Sequence, residues 1–268
     1  NTGLLGYSST PASNNALVYK PAALSAALSV TRTVLNAGQL FGVILTVSNT
    51  GDVTAGNVQP NFLSVIGTGG AIPQGSVAPA TADILGGQVA AFTWSYSAVG
   101  TGTLSLQGSA FGTDQFSGLT VGTGTVGSPS VSIFSAVSLS VQSLTAAPAS
   151  VGTGRALTVF MTVANLGETS AQQVSGSVLT TFGPSGVTAT ANPIPASVAS
   201  LAGGATTQFT YIFTANGVIG SLGFSGNASA RDANENSTKT AATVGSSPIT
   251  VFAQGGLALQ SFNVTPAG

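Results

Sequence analysis

The chemistry open to this chain is narrow. Its 268 residues include no His and no Cys, which removes the imidazole base, the thiolate nucleophile and the nitrogen and sulfur ligands of zinc, iron and copper. Carboxylates remain, and they are few: six Asp and Glu against five Lys and Arg, a net charge of -1. Asp232 and Glu235, in Arg231-Asp232-Ala233-Asn234-Glu235-Asn236-Ser237, are the one close acidic pair. Hard oxygen ligands at short spacing could hold Ca²⁺, which takes 6–8 oxygens. Asp and Asn equally favour turns, so a polar hairpin tip accounts for the same residues. The spacing is not that of an EF-hand. No catalytic residue, metal site or cofactor is therefore expected, and Asp232 with Glu235 is the one calcium candidate.

Two other groups of residues could recognise a ligand. Phe92, Trp94 and Tyr96 stand at i, i+2 and i+4, as do Phe209, Tyr211 and Phe213, so each triplet lines one face of a strand. Exposed, such a strip would stack on sugar rings. Packed inward, it would supply the large residues that a sandwich core needs, and Thr93, Ser95 and Thr210 suit an outer face, so these six are expected to be core aromatics. Ile212 breaks the alternation in the second triplet. Three sequons, Asn227-Ala228-Ser229, Asn236-Ser237-Thr238 and Asn263-Val264-Thr265, make Asn236, Asn227 and Asn263 glycosylation candidates, with Asn236 foremost because it falls on the expected tip. The pairs Gly86-Gly87 and Gly203-Gly204 precede no helical pattern and no Lys-Ser or Lys-Thr, so they read as turns and not as phosphate loops.

The elements that must position these residues are strands. Thirty-four Ser and 34 Thr stand beside 36 Gly, a composition that favours strands with tight turns over helices. No apolar run reaches the ~18 residues of a spanning helix, and five scattered cations cannot neutralise a track of phosphates, so neither membrane span nor nucleic acid is expected.

Self-comparison organises the chain. Phe41-Gly42-Val43-Ile44-Leu45-Thr46-Val47-Ser48-Asn49-Thr50-Gly51 returns as Leu157-Thr158-Val159-Phe160-Met161-Thr162-Val163-Ala164-Asn165-Leu166-Gly167, Gly108-Ser109-Ala110 returns as Gly226-Asn227-Ala228, and Asp114 stands where Asp232 stands. Gly51 and Gly167 are expected to end their strands with a positive φ. The segment from Leu139 to Ala149 aligns with that from Leu257 to Ala267, and Leu17-Val18-Tyr19 aligns with the ends of the two copies, Ser132-Ile133-Phe134 and Thr250-Val251-Phe252. The fold expected is all-β: two tandem immunoglobulin-like β-sandwiches over 26–136 and 137–254, each of the ~100 residues such a unit needs. A strand-forming segment stands at each terminus, a closing strand over 1–25 and an opening strand over 255–268.

The alternating strand, V-x-N-x-G, the later Gly-Gly and the aromatic strand resemble the bacterial and archaeal surface repeats of the CARDB and DUF11 type. The matching residues are Val47, Asn49, Gly51, Gly87, Phe92 and Tyr96, then Val163, Asn165, Gly167, Gly204, Phe209 and Phe213. The resemblance implies an extracellular or cell-surface protein of an envelope, adhesin, sheath or filament, and it transfers no catalytic residue. A surface so poor in charge opposes association weakly. The function expected is a structural subunit of an extracellular filament, sheath or cell-surface fibre, a homopolymer of copies of itself joined head to tail. Leu17 and Tyr19 at one end, and Leu257, Leu259, Phe262 and Val264 at the other, are the candidates for intersubunit strand complementation. Glycans are the other expected partner. The alternative is an adhesin or carbohydrate-binding module within a longer surface protein.

Overall fold

The computed structural model describes residues 17–261 apart from Phe62, Leu257 and Leu259. Within them the chain is all-β, with no helix that could cross a membrane, and it folds as two β-sandwiches that share no strand. In the first, Leu24–Val30, Leu40–Asn49, Val89–Val99 and Gly70–Pro73 lie side by side as one sheet. Opposite them, Ala55–Pro60 and Ser64–Gly67 pair with Ala110–Asp114 and Gly102–Gly108, and Val131–Phe134 closes that face. Val34–Asn36 leaves the first sheet to run parallel to Val131–Phe134. The second sandwich repeats this arrangement with Leu139–Ala147, Ala156–Asn165, Thr206–Asn216 and Gly186–Ile194 in one sheet, and Ser150–Gly152 parallel to Ile249–Phe252 in the other.

Period-2 patterning builds each core. Along Leu40–Asn49 every second residue from Phe41 is buried. Its inward residues face the aromatic triplet across the ladder: Phe41 opposite Tyr96, Val43 opposite Trp94 and Leu45 opposite Phe92. Leu157, Val159 and Met161 face Phe213, Tyr211 and Phe209 in the second copy. Both triplets lie in the cores. Full burial of one such ring contributes roughly 1.5–3 kcal/mol. Ile212, half-buried, points to the outer face between Thr158 and Ala191.

Gly51 and Gly167 depart from expectation, because neither has a positive φ. Their requirement is close approach instead. A Cβ on Gly51 would collide with the Pro21 carbonyl, and one on Gly167 with the Ala136 carbonyl. Each glycine lets the chain entering its sandwich lie against the turn. Gly87 and Gly204, the second glycines of the two Gly-Gly pairs, are left-handed, at φ 74° in both copies.

Candidate functional site

The chain enters each sandwich at one pole and leaves it at the other, and the polar groups gather at the entry poles. There a buried asparagine ends the second long strand. Asn49 Oδ1 accepts from the N–H groups of Ala23 and Gly51, while its Nδ2 donates to the carbonyls of Val53 and Ile84. Asn165 does the same for Ser138, Gly167, Thr169 and Leu201. One side chain thus joins three segments of backbone at each pole.

An aspartate completes each pole. Asp114 Oδ2 accepts from Ala22 N at 2.7 Å, and Oδ1 from Phe116 N and Ser117 N at 2.9 and 2.8 Å. In the second copy, Asp232 Oδ2 accepts from Val137 N at 2.8 Å, and Oδ1 from Asn234 N and Glu235 N at 2.9 and 3.0 Å. The Ser117 and Ala22 N–H groups hold the Asp114 carboxyl below its ordinary 3.8. For Asp232 burial alone would raise it, but the donors from Val137, Glu235, Asn36 and Asn234 outweigh burial and the net direction is down.

The two sandwiches meet at the second of these poles. Asn36, wholly buried at the exit pole of the first sandwich, donates Nδ2 to both oxygens of Asp232 at 2.9 Å. Its Oδ1 accepts from Thr169 Oγ1 at 2.6 Å and from Asn234 Nδ2 at 2.8 Å. Arg32 Nη2 donates to the Asn234 carbonyl at 2.9 Å. Beside them Ser135 N donates to Glu168 Oε2 at 2.8 Å and Glu168 N to Ser135 Oγ at 2.9 Å. Among the described residues no buried side-chain atom of Asn36, Thr169 or Asp232 lacks a partner, a condition under which a polar junction fixes orientation.

The sequence candidates fall at several places. Asp232 is buried with both oxygens turned to N–H donors, and Glu235 Oε2 accepts from Lys239 Nζ at 2.8 Å and from Ser237 Oγ. The Lys239 ammonium, then the Ser237 hydroxyl, hold the Glu235 carboxyl low. Among the described residues no three acidic, His or Cys groups gather as a cation site. Asn236 is exposed at the hairpin tip with φ 56°. Asn227 is half-buried between two strands. Leu17 and Tyr19 are exposed at the entry pole of the first sandwich. Asn263, Leu257, Leu259, Phe262 and Val264 lie outside the described residues. Sequence reasoning missed Asn36, Thr169 and Asn234; the available signal was the recurrence of Asp114 as Asp232 at the repeat spacing.

No protein family matches the chain, and no curated protein matches it. Among solved structures, the D0-D1 domain of intimin is similar over 81% of this chain and 96% of its own, at 15% identity and a TM-score of 0.22. The protein described as BspA_C_WT is similar over 82% of this chain and 99% of its own, at 8% identity and a TM-score of 0.31. A type II cohesin dyad from the adaptor ScaA scaffoldin of Acetivibrio cellulolyticus is similar over 81% and 92%, at 8% identity and a TM-score of 0.25. All three lie below the similarity at which a neighbour's role transfers.

Proposed function

We propose that the chain is a non-catalytic structural subunit of an extracellular or cell-surface filament, sheath or fibre of the CARDB and DUF11 kind, in which copies join end to end. The observation that carries the reading is the junction at Asn36 and Asp232. It joins one sandwich to the next, pole to pole, through buried hydrogen bonds between Asn36, Thr169 and Asp232. A fibre of stacked sandwiches needs such a joint at every step. The aromatic triplets are buried, so no sugar-stacking strip favours the carbohydrate-binding alternative.

Both sandwiches hold first and last strands of their own. A trans strand from Leu17 and Tyr19, or from Leu257, Leu259, Phe262 and Val264, would displace one of them. The poles are accordingly the natural surfaces for end-to-end contact, and glycans at Asn236 would hydrate the flank. Electron micrographs of the native material should show fibres. Dilute, unglycosylated protein that sediments as a lone and persistent particle would reject the reading.

A further inference from the structure

The two copies of the repeat differ at one turn in a way its backbone does not require. Val89–Val99 runs into Gly100 and Thr206–Asn216 into Gly217, and the two glycines hold nearly the same left-handed conformation, φ 67° and 69°. The residue before each glycine lies across the neighbouring edge strand. Val99 pairs with Gly70 and Asn216 with Gly186, and a Cβ on either partner would meet that side chain: Val99 Cγ2 at 3.4 Å in the first copy, Asn216 Oδ1 at 2.7 Å in the second. Two residues along the edge strand, Ile72 of the first copy gives way to Thr188 of the second. An apolar pair is exchanged for a polar one, in which Asn216 Nδ2 donates to Thr188 Oγ1 at 2.8 Å. The same turn folds with valine, so its backbone does not call for the carboxamide.

What the exchange adds is a reactive dipeptide. Of the chain's fourteen asparagines, Asn216 is the one followed by glycine. A following residue without a Cβ leaves its backbone nitrogen free to swing onto the carboxamide carbon. Asn216 and Gly217 are both exposed. Among the described residues the Gly217 N–H donates to no carbonyl or side chain, and the turn is closed instead by Val218 N on the Asn216 carbonyl at 3.0 Å. Other asparagines are protected: Asn36, Asn49 and Asn165 are buried with their amides committed, and Asn192 precedes a proline, which has no N–H to offer.

We propose that Asn216-Gly217 is a site of spontaneous deamidation and that the Thr188 hydroxyl sets its pace. Gly217 N, having given its proton to base, attacks Asn216 Cγ. The new N–C bond closes a succinimide ring as the Cγ–Nδ2 bond breaks, and the amide nitrogen takes up a proton and leaves as ammonia. Water then adds to one of the two ring carbonyls and opens the ring, to aspartate at one and, at the other, to isoaspartate, with the main chain routed through the side chain. No oxidant or reductant enters the balance. For the ring to close, the carboxamide has to turn away from Thr188, so that hydrogen bond breaks first and holds the reacting atoms out of position until it does. The product adds one negative charge to a net charge of -1, in a protein whose surface carries few others. The site stands whether or not copies assemble.

The full chain, held in mildly alkaline buffer, should gain the mass that separates an acid from its amide and shift to the acidic side on isoelectric focusing. Peptide mapping should place the gain at 216 and 217, and its rate should rise with pH. Asn216→Val, which copies the first sandwich, should abolish the acidic shift. Thr188→Val should speed the reaction severalfold with unchanged circular dichroism, since Thr188 is exposed on an edge strand. A native chain that stays amidated while its urea-unfolded form converts, or a gain that maps to other asparagines, overturns the site. An unchanged rate in Thr188→Val overturns the part given to the hydroxyl.

Discussion

At the scale of single residues, the rare charges act as internal bolts. Five of the six carboxylates accept a backbone N–H: Asp52 from Lys20, Asp83 from Asn57, Asp114 from Ala22, Phe116 and Ser117, Glu168 from Ser135, and Asp232 from Val137, Asn234 and Glu235. The buried asparagines are their neutral counterparts. Replacing Asn165 with Ala strands the carbonyls of Thr169 and Leu201 and the N–H groups of Ser138 and Gly167, and an unpaired buried group costs about 1–3 kcal/mol. Asn165→Ala should therefore lose at least that much in urea unfolding, and Asn49→Ala a similar amount. The V-x-N-x-G motif was visible in the sequence as a strand end. That its asparagine joins three segments was not, because the partners lie up to 36 residues away.

At the scale of elements, alternation revealed the long strands, since one face buried and one face exposed leaves a period of two in the residue types. The bulges were hidden. Asn57 and Gln173 hold φ near +50° where the register between Ala55–Pro60 and Ala110–Asp114, and its repeat, slips; neither is a glycine that would have signalled it. The reason for Gly51 and Gly167 was hidden too, because a close approach between segments leaves no local mark. Gly167→Ala should push the linker at Ala136 off its turn. Its cost should exceed the about 0.5–1 kcal/mol that glycine itself concedes to alanine in a regular element, with the sign reversed. Thermal unfolding of this variant beside Gly204→Ala, where nothing crowds the added carbon, separates collision from backbone strain.

For the whole molecule, the internal junction ties orientation to pH. Asp232 has its folded value held below 3.8. A carboxyl depressed in this way contributes stability that is present above its unfolded value and is lost as pH falls through the folded one. Acidification below about pH 4 should thus free the two sandwiches from each other before their cores unfold, read as a broader distribution of particle lengths in small-angle scattering. Asp232→Asn should be less stable at neutral pH, because its amide confronts N–H donors, and should show a smaller acid response. A fixed orientation at neutral pH with or without Asp232 would contradict this account. The repeat itself was legible from self-comparison, but the joint was not, since Asn36 lies in a three-residue strand with no pattern around it.

The parallel pairs Val34–Asn36 with Val131–Phe134, and Ser150–Gly152 with Ile249–Phe252, govern how such a molecule answers tension. A pull applied at the two ends of a sandwich slides these strands along each other, so their evenly spaced cross-links resist in concert instead of opening one by one like a zipper. Each sandwich would yield abruptly at high force and then pay out its stored length, the behaviour of a tether that absorbs a shock before it snaps.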